Sequence, residues 1–254
     1  MSLLELGEVT KSFGGIKAVT RVSFQVPQGS IFGLIGPNGA GKTTVFNLIT
    51  GVYRPDSGAI RFDGGDLTTK KSAQIAAVGV ARTFQNIRLF SQMSVVDNVL
   101  VACETTRRTG LGGALGRSGA FRDEEHRMHE KALELLDLFQ LRPLASERST
   151  SLSYGNQRRL EIARAMMLGP KLLLLDEPAA GMNYGEAEGL NKQIRWLREH
   201  FNLTVVLVEH NMQVVMNVCE EIHVLDYGQT IAHGSPDEIR KHPKVLAAYL
   251  GEGV

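Results

Sequence analysis

The fold is decided by the stretch Ile31–Thr44, which reads IFGLIGPNGAGKTT. Its first five residues form a short apolar run of the kind found in buried strands. The next eight fit G-x-x-x-x-G-K-[ST], in which glycines let backbone N–H groups converge on phosphate oxygens. A helix beginning at the end of the loop adds a favourable dipole. The stretch therefore predicts a strand, a phosphate loop and a helix in a nucleotide-binding α/β core.

Each part of this loop has an expected role. Lys42 would reach the β- and γ-phosphates, and the hydroxyl of Thr43 would bind Mg²⁺. The residues predicted to bind the phosphates of ATP are Gly36, Asn38, Gly39, Ala40, Gly41, Lys42, Thr43 and Thr44.

A pair of carboxylates follows the apolar run Leu172–Leu175. A phosphate-loop ATPase needs an acid at a strand end to hold Mg²⁺, and Asp176 is placed for that role. Glu177, one residue later, could orient and polarise the attacking water. The pair predicts the hydrolytic part of the site.

The rest of the chain predicts a mixed architecture. Short strands fill the first third, and the last third alternates strands with helices. Between them, an apolar stripe over residues 122–141 indicates an inserted helical region. We predict one domain, 1–254. Its α/β core with a mostly parallel sheet and an N-terminal antiparallel β subdomain spans 1–90 and 160–254, and its helical subdomain spans 91–159.

Composition excludes several classes of protein. The chain has 254 residues, with 28 Lys and Arg against 27 Asp and Glu, so no basic excess is available for nucleic acid. The uncharged stretch Val22–Gly41 is too rich in glycine, proline and polar residues to span a membrane as a helix. Cys103 and Cys219 are too few for a disulfide framework and fit a reducing cytosol.

A second candidate anion-binding segment lies at residues 152–159, LSYGNQRR. Ser153 is a natural helix N-cap, and Gly155 allows close approach of the backbone. One phosphate group rarely needs two such cradles in one chain. A two-fold dimer would use both, with each ATP held between the phosphate loop of one subunit and this segment of the other.

The order of these motifs resembles that of the ATP-binding subunits of ABC transporters over the whole length. The resemblance implies that Phe13 stacks on adenine and that Gln85 contacts Mg²⁺ and the attacking water. It implies that His210 contacts the γ-phosphate, and that Ser153 and Gly155 contact it in trans. The partners it implies are a second ATP-binding subunit, identical or homologous, transmembrane permease subunits and, indirectly, a periplasmic or extracellular solute-binding protein. The chain would lie on the cytoplasmic face of a bacterial plasma membrane.

Three positions depart from the family's usual pattern. Tyr154 and Asn156 stand where the signature commonly has Gly and Gln, and Asn183 stands where an Asp is common. The Ser and Gly expected to touch phosphate are kept, so the departures bear on communication between the two sites and leave ATP binding intact.

Weaker features favour branched-chain amino acid import. They are Ala179-Ala180-Gly181, the glycine-rich insertion at residues 105–120 and the ending at residues 248–252. Cassettes for urea or short amides, or for lipopolysaccharide export, remain alternatives, as do a non-transport cassette ATPase and a soluble phosphate-loop kinase.

A separate cluster, Glu125, His126, His129 and Glu130, could suggest a metal site, although a solvated helix face explains that cluster.

Overall fold

The computed structural model describes residues 1–105 and 119–250. It divides into two compact units, one of Met1–Gln85 with Lys171–Val254 and one of Asn86–Pro170. These boundaries differ from the predicted ones, 90/91 and 159/160. The helix after the second anion-binding segment belongs wholly to the second unit, and therefore the second boundary lies later in the chain.

Among the described residues, every named strand lies in the first unit, and helices lie in both units. In chain order the strands are β1 (Ser2–Phe13), β2 (Ile16–Pro27), β3 (Ile31–Ile35), β4 (Ser57–Phe62), β5 (Gly65–Asp66), β6 (Val80–Arg82), β7 (Leu172–Asp176), β8 (Thr204–Val208), β9 (Glu221–Asp226) and β10 (Gln229–Gly234). The helices are α1 (Lys42–Ile49), α2 (Ser72–Ala77), α3 (Val95–Leu100), α4 (Gly119–Leu138), α5 (Tyr154–Met166), α6 (Tyr184–Phe201), α7 (Met212–Val218), α8 (Pro236–Lys241) and α9 (Pro243–Leu250). Short 3-10 helices lie at Val101–Thr105, Arg142–Leu144 and Ser149–Ser151.

Two sheets build the first unit. The N-terminal strands form an antiparallel sheet in the order β2-β1-β4-β5, and the larger sheet has the order β10-β9-β3-β8-β7-β6. In the larger sheet every pairing from β9 to β6 is parallel, and only β10 is antiparallel. The predicted α/β class, with an antiparallel β subdomain and a mostly parallel core, is confirmed.

The parallel strands are buried on both faces. Every residue of β3, β7 and β8 is buried, as continuous apolar runs predict for strands covered by other layers. Their side chains Leu34, Leu174 and Val206 join Phe46 of α1 in the main core. Because the carboxyl ends of parallel strands meet at one edge, this core fixes the relative positions of the loops after β3, β6, β7 and β8.

The second unit is helical, as predicted. The expected apolar stripe is buried at Ala132, Leu135 and Leu136 of α4 and at Phe139, which follows the helix. In α5 the fully buried guanidinium of Arg158 donates from Nη1 to Glu161 Oε2 at 2.7 Å. This buried pair satisfies charges that burial would otherwise penalise.

Parts of two sequence features lie outside the described residues. These are most of the insertion predicted at residues 105–120 and the end of the segment at 248–252. Among the described residues, no helix is both long and apolar enough to cross a bilayer. Within the same residues, no group of three or more His, Cys, Asp or Glu side chains could hold a metal ion. His126 Nε2 instead lies 3.3 Å from Glu130 Oε1.

A buried histidine supports the sheet of the first unit. His223 of β9 is 1% exposed, packs against Phe24 and Phe32, and has Nε2 2.9 Å from Thr230 Oγ1. Burial, with a smaller effect from His233, lowers the pKa of His223 from 6.5 to about 3. The folded protein therefore keeps this ring neutral at pH values where the unfolded chain would protonate it.

We predict that His223 makes the first unit less stable in mild acid. Its folded pKa lies below its unfolded pKa, so the stability present above the unfolded value is lost as pH falls below it. Between pH 7 and pH 5 the loss should be about 2 kcal/mol, which urea unfolding would measure. His223→Phe should lack this component, and His126→Phe, at an exposed position, should keep it. Equal pH dependence in wild type and His223→Phe would contradict the assignment.

Candidate nucleotide-binding site

The phosphate loop lies between β3 and α1, as the sequence predicts. Lys42 is buried, and its ammonium donates to the carbonyl oxygens of Gly36 at 2.6 Å and Pro37 at 2.8 Å. Burial lowers its pKa, and the carboxylates of Glu177 and Asp176 oppose that shift. The ammonium of Lys42 therefore lies over the phosphate loop and near two carboxylates. A phosphate group bound in the loop would be attracted by this positive charge.

Two glycines of the loop are required by close backbone approach. A Cβ on Gly36 would lie 2.1 Å from the carbonyl oxygen of Leu225. One on Gly41, where φ is +100°, would lie 2.5 Å from that of Ala18. The loop is further tied to the β9–β10 turn, because Gly228 N–H donates to the Ala40 carbonyl at 3.0 Å. Strands behind the loop therefore hold its shape.

Asp176 is buried at the end of β7 and is paired there with a cation. Arg82 at the end of β6 donates from Nη2 to Asp176 Oδ2 at 2.8 Å and from Nη1 to Asn47 Oδ1 at 2.6 Å. Both charged side chains are under 10% exposed, at 7% and 5%. The pairing of Arg82 with Asp176 could not be predicted, because the two residues lie 94 positions apart in the sequence.

Two polar side chains contact the carboxylate of Glu177 from opposite oxygens. Gln85 donates from Nε2 to Glu177 Oε2 at 2.7 Å, and His210 Nε2 lies 2.5 Å from Glu177 Oε1. The backbone of Glu177 is left-handed, with φ +46°, and its N–H donates to the Val208 carbonyl at 2.8 Å. Residues predicted from three separate motifs therefore meet around one carboxylate.

Phe13 lies at the end of β1 with 40% of its side chain exposed. Its ring packs edge-on against Tyr53 with centroids 4.9 Å apart, and Lys11 Nζ lies 5.5 Å from its centroid. An exposed, fixed aromatic ring is suited to stacking on a planar base. The neighbouring Tyr53 was missed, since nothing in its local sequence marks it.

The residues predicted to hold Mg²⁺ fit that ion chemically. Thr43, Gln85 and Asp176 supply hydroxyl, amide and carboxylate oxygens, which are the ligands that Mg²⁺ prefers. Thr43 is exposed in the first turn of α1, and the side chain of Gln85 already reaches the adjacent Glu177. The donor set is therefore appropriate for a divalent cation bound together with nucleotide phosphates.

Known proteins are similar to this chain over nearly its whole length. A family model described as ABC transporter matches residues 19–180, and one described as branched-chain amino acid ATP-binding cassette transporter matches residues 229–254. The chain is 45% identical to the high-affinity branched-chain amino acid transport ATP-binding protein BraF of Pseudomonas aeruginosa, with 98% of each covered. The chain belongs to the ABC transporter family.

Solved structures of such cassettes share the fold. The ADP conformation of MJ1267, an ATP-binding cassette of an ABC transporter, superposes with a TM-score of 0.86 at 32% identity, covering 99% of both chains. The dimeric structure of MJ0796, a bacterial ABC transporter cassette, gives 0.77 at 25% identity, covering 92% of this chain and 99% of that one. The chain is therefore an ATP-binding cassette, the ATPase component of such transporters.

The ABC signature lies in the second unit and is capped as predicted. Ser153 Oγ accepts from Asn156 N–H at 3.4 Å at the start of α5. A Cβ on Gly155 would meet no atom within 4 Å, so this glycine leaves the helix start open. Tyr154, one of the departures from the usual pattern, lies near Arg158, whose Nη2 is 3.3 Å from the tyrosine hydroxyl. Tyr154 is thus held by the buried pair of α5.

Asn183 also has a local role. Its Oδ1 caps α6 by accepting from Glu186 N–H at 3.0 Å, and the N–H of Asn183 donates to Glu186 Oε2 at 2.9 Å. Asn and Asp serve about equally well as N-caps, so the substitution keeps the helix start that an Asp would provide.

We predict that Lys42→Ala abolishes tight ATP binding. Hydrogen bonds to charged groups are worth about 1.5–3 kcal/mol each, so losing the ammonium should weaken affinity by about 100-fold. Titration with a fluorescent ATP analogue would measure the change. Lys192→Ala removes an ammonium from an exposed pair with Glu188 on α6 and should leave affinity unchanged. Unchanged affinity in Lys42→Ala would remove the loop from its assigned role.

Proposed function

We propose that this chain is the ATP-hydrolysing subunit that drives import of branched-chain amino acids through separate membrane subunits. The observation that carries the hydrolytic part is the carboxylate of Glu177, held between Gln85 and His210 at the edge of the sheet that bears the phosphate loop. The match of residues 229–254 to a branched-chain amino acid cassette model and the similarity to BraF support the substrate class.

Glu177 acts as the general base in this proposal. Each of its oxygens accepts one hydrogen bond in the structure and keeps a lone pair for another, so a water can be oriented between the carboxylate and the γ-phosphate. When water attacks phosphorus and the bond to the ADP oxygen breaks, the water proton passes to Glu177. His210 and Gln85 fix the position of the carboxylate.

Cations around the loop offset the charge of the reaction. Lys42, whose ammonium lies on the phosphate loop, would place its charge beside the phosphate oxygens, and Arg82 holds Asp176 in place. Mg²⁺, held by Thr43, Gln85 and Asp176, would supply charge neutralisation to the phosphates. The backbone N–H groups of the glycine-rich loop orient the same oxygens without needing to reorganise.

The active assembly is proposed to be a two-fold dimer or a pair with a homologous cassette. Ser153 and Gly155 of one subunit would contact the γ-phosphate bound by the other, which the open helix start at Gly155 permits. The membrane subunits would dock near Phe90, a residue of the second unit that is 46% exposed. The chain would then act as a peripheral protein at the cytoplasmic face of the membrane.

Glu177→Gln tests the hydrolytic assignment. The amide cannot take the proton, so we expect ATP binding within about twofold of wild type and hydrolysis reduced by about 100-fold or more. Phosphate release without added acceptor measures turnover and also distinguishes an ATPase from a soluble kinase. Glu188→Gln, at an exposed position of α6, is the matched control. Near-wild-type turnover in Glu177→Gln would exclude the residue as base.

The substrate class requires the assembled transporter. We expect membrane subunits co-purified with this chain, reconstituted in vesicles with their solute-binding protein, to couple ATP hydrolysis to uptake of leucine, isoleucine and valine. Urea, short amides and lipopolysaccharide are the comparison substrates. If one of these comparison substrates stimulated transport and ATP hydrolysis, and the branched-chain amino acids did not, the proposed substrate class would be contradicted. The ATPase assignment would remain intact.

A further inference from the structure

A buried carboxylate outside the recognised motifs lies directly beside the catalytic group. Glu209 follows β8, precedes His210, and is only 3% exposed. Its Oε1 accepts from the backbone N–H of Ala179 at 2.6 Å. Its Oε2 accepts from the backbone N–H of His210 at 3.2 Å and of Asn211 at 3.5 Å. One side chain thus takes hydrogen bonds from two separate loops.

These two loops flank the pair that holds the attacking-water site. Ala179 lies two residues after Glu177, and His210 is the residue whose Nε2 contacts Glu177 Oε1. The Glu209 carboxylate therefore connects the loop at Ala179, which follows Glu177, with the loop at His210, whose side chain contacts Glu177. A displacement of one of these loops relative to the other would therefore change the distance between His210 and Glu177.

Burial of the Glu209 carboxylate beside Glu177 is electrostatically unfavourable. Burial raises its pKa, the nearby charge of Glu177 acts in the same direction, and the three backbone N–H groups oppose the shift. A carboxylate buried beside another acid is expensive unless its hydrogen bonds are required. An apolar side chain would avoid that cost but would leave three backbone N–H groups without this acceptor.

We propose that Glu209 is a positioning residue for ATP hydrolysis, which couples the loop at Ala179 to His210 and thereby sets the contact between His210 and Glu177. The inference rests on the proposed ATPase function. Its chemistry is specific to a carboxylate, because both ends of the group must accept. In glutamine one end is an NH₂ donor, which would face a backbone N–H and could satisfy only one of the two loops.

Glu209→Gln is the primary test. We expect kcat for ATP hydrolysis to fall by about tenfold, since one charged hydrogen bond is lost, while the dissociation constant for ATP changes by less than about twofold. Amide hydrogen exchange at Ala179 or His210 should accelerate by about tenfold. Glu221→Gln, at a half-exposed position in β9, should change none of these quantities. Wild-type kcat in Glu209→Gln would overturn the proposal.

A double-mutant cycle with His210→Ala separates positioning from general weakening of the fold. If Glu209 acts through His210, Glu209→Gln should cause no further loss of single-turnover rate in the His210→Ala background. A second tenfold loss in that background would overturn the proposal, because the two residues would then act independently.

Thermal unfolding shows whether a variant has lost activity only because it has lost structure, and Glu209→Asp is the second variant for that case. If Glu209→Gln lowers the melting temperature by more than a few degrees, Glu209→Asp replaces it. The shorter side chain keeps the charge but reaches only one loop, and the same fall in kcat and the same non-additivity with His210→Ala are expected. Absence of ATP hydrolysis by the assembled wild-type transporter would overturn the proposed function instead. Unchanged exchange at both amides would overturn only the role of Glu209.

Discussion

The site depends on the parallel hydrogen bonding of β6, β7, β8 and β3. Because these strands run in the same direction, their carboxyl ends meet at one edge, and the loops that follow them are brought together. Residues distant in sequence, such as Gln85, Glu177 and His210, become neighbours by this pairing alone. A slip of one residue in β7 would send Asp176 to the opposite face of the sheet and break its pair with Arg82.

Charge is concentrated at this edge and balanced locally. Lys42 and the largely buried side chain of Arg82 are cations at this edge, and Asp176, Glu177 and Glu209 are acids at the same edge. None of these acids is left to solvent: each has a cation, a polar side chain or backbone N–H groups against it. The near-zero net charge of the chain thus conceals a dense, paired cluster where a highly charged substrate is to be handled.

Much of this arrangement could be predicted from the sequence because its parts are local. The phosphate loop, the buried strand runs and the N-cap at Ser153 depend on neighbouring residues, and the structure has all three. Arg82, Tyr53 and Glu209 could not be predicted, since each gains its role from a partner far along the chain. The boundaries of the two compact units also differ from those expected, because helical periodicity shows that α5 is a helix without showing which unit it packs in.

The departures from the family pattern can be judged by what each residue does locally. Asn183 keeps the capping box of α6, so the helix after the catalytic loop starts where an Asp would start it. That loop is held at its near end by Glu209 through Ala179 and at its far end by this cap. Hydrogen bonds therefore fix this segment at both ends. The Asp-to-Asn difference removes a charge from the loop and keeps this cap, and the carboxylate that holds the other end of the loop is Glu209, 30 residues after Ala179 in the chain.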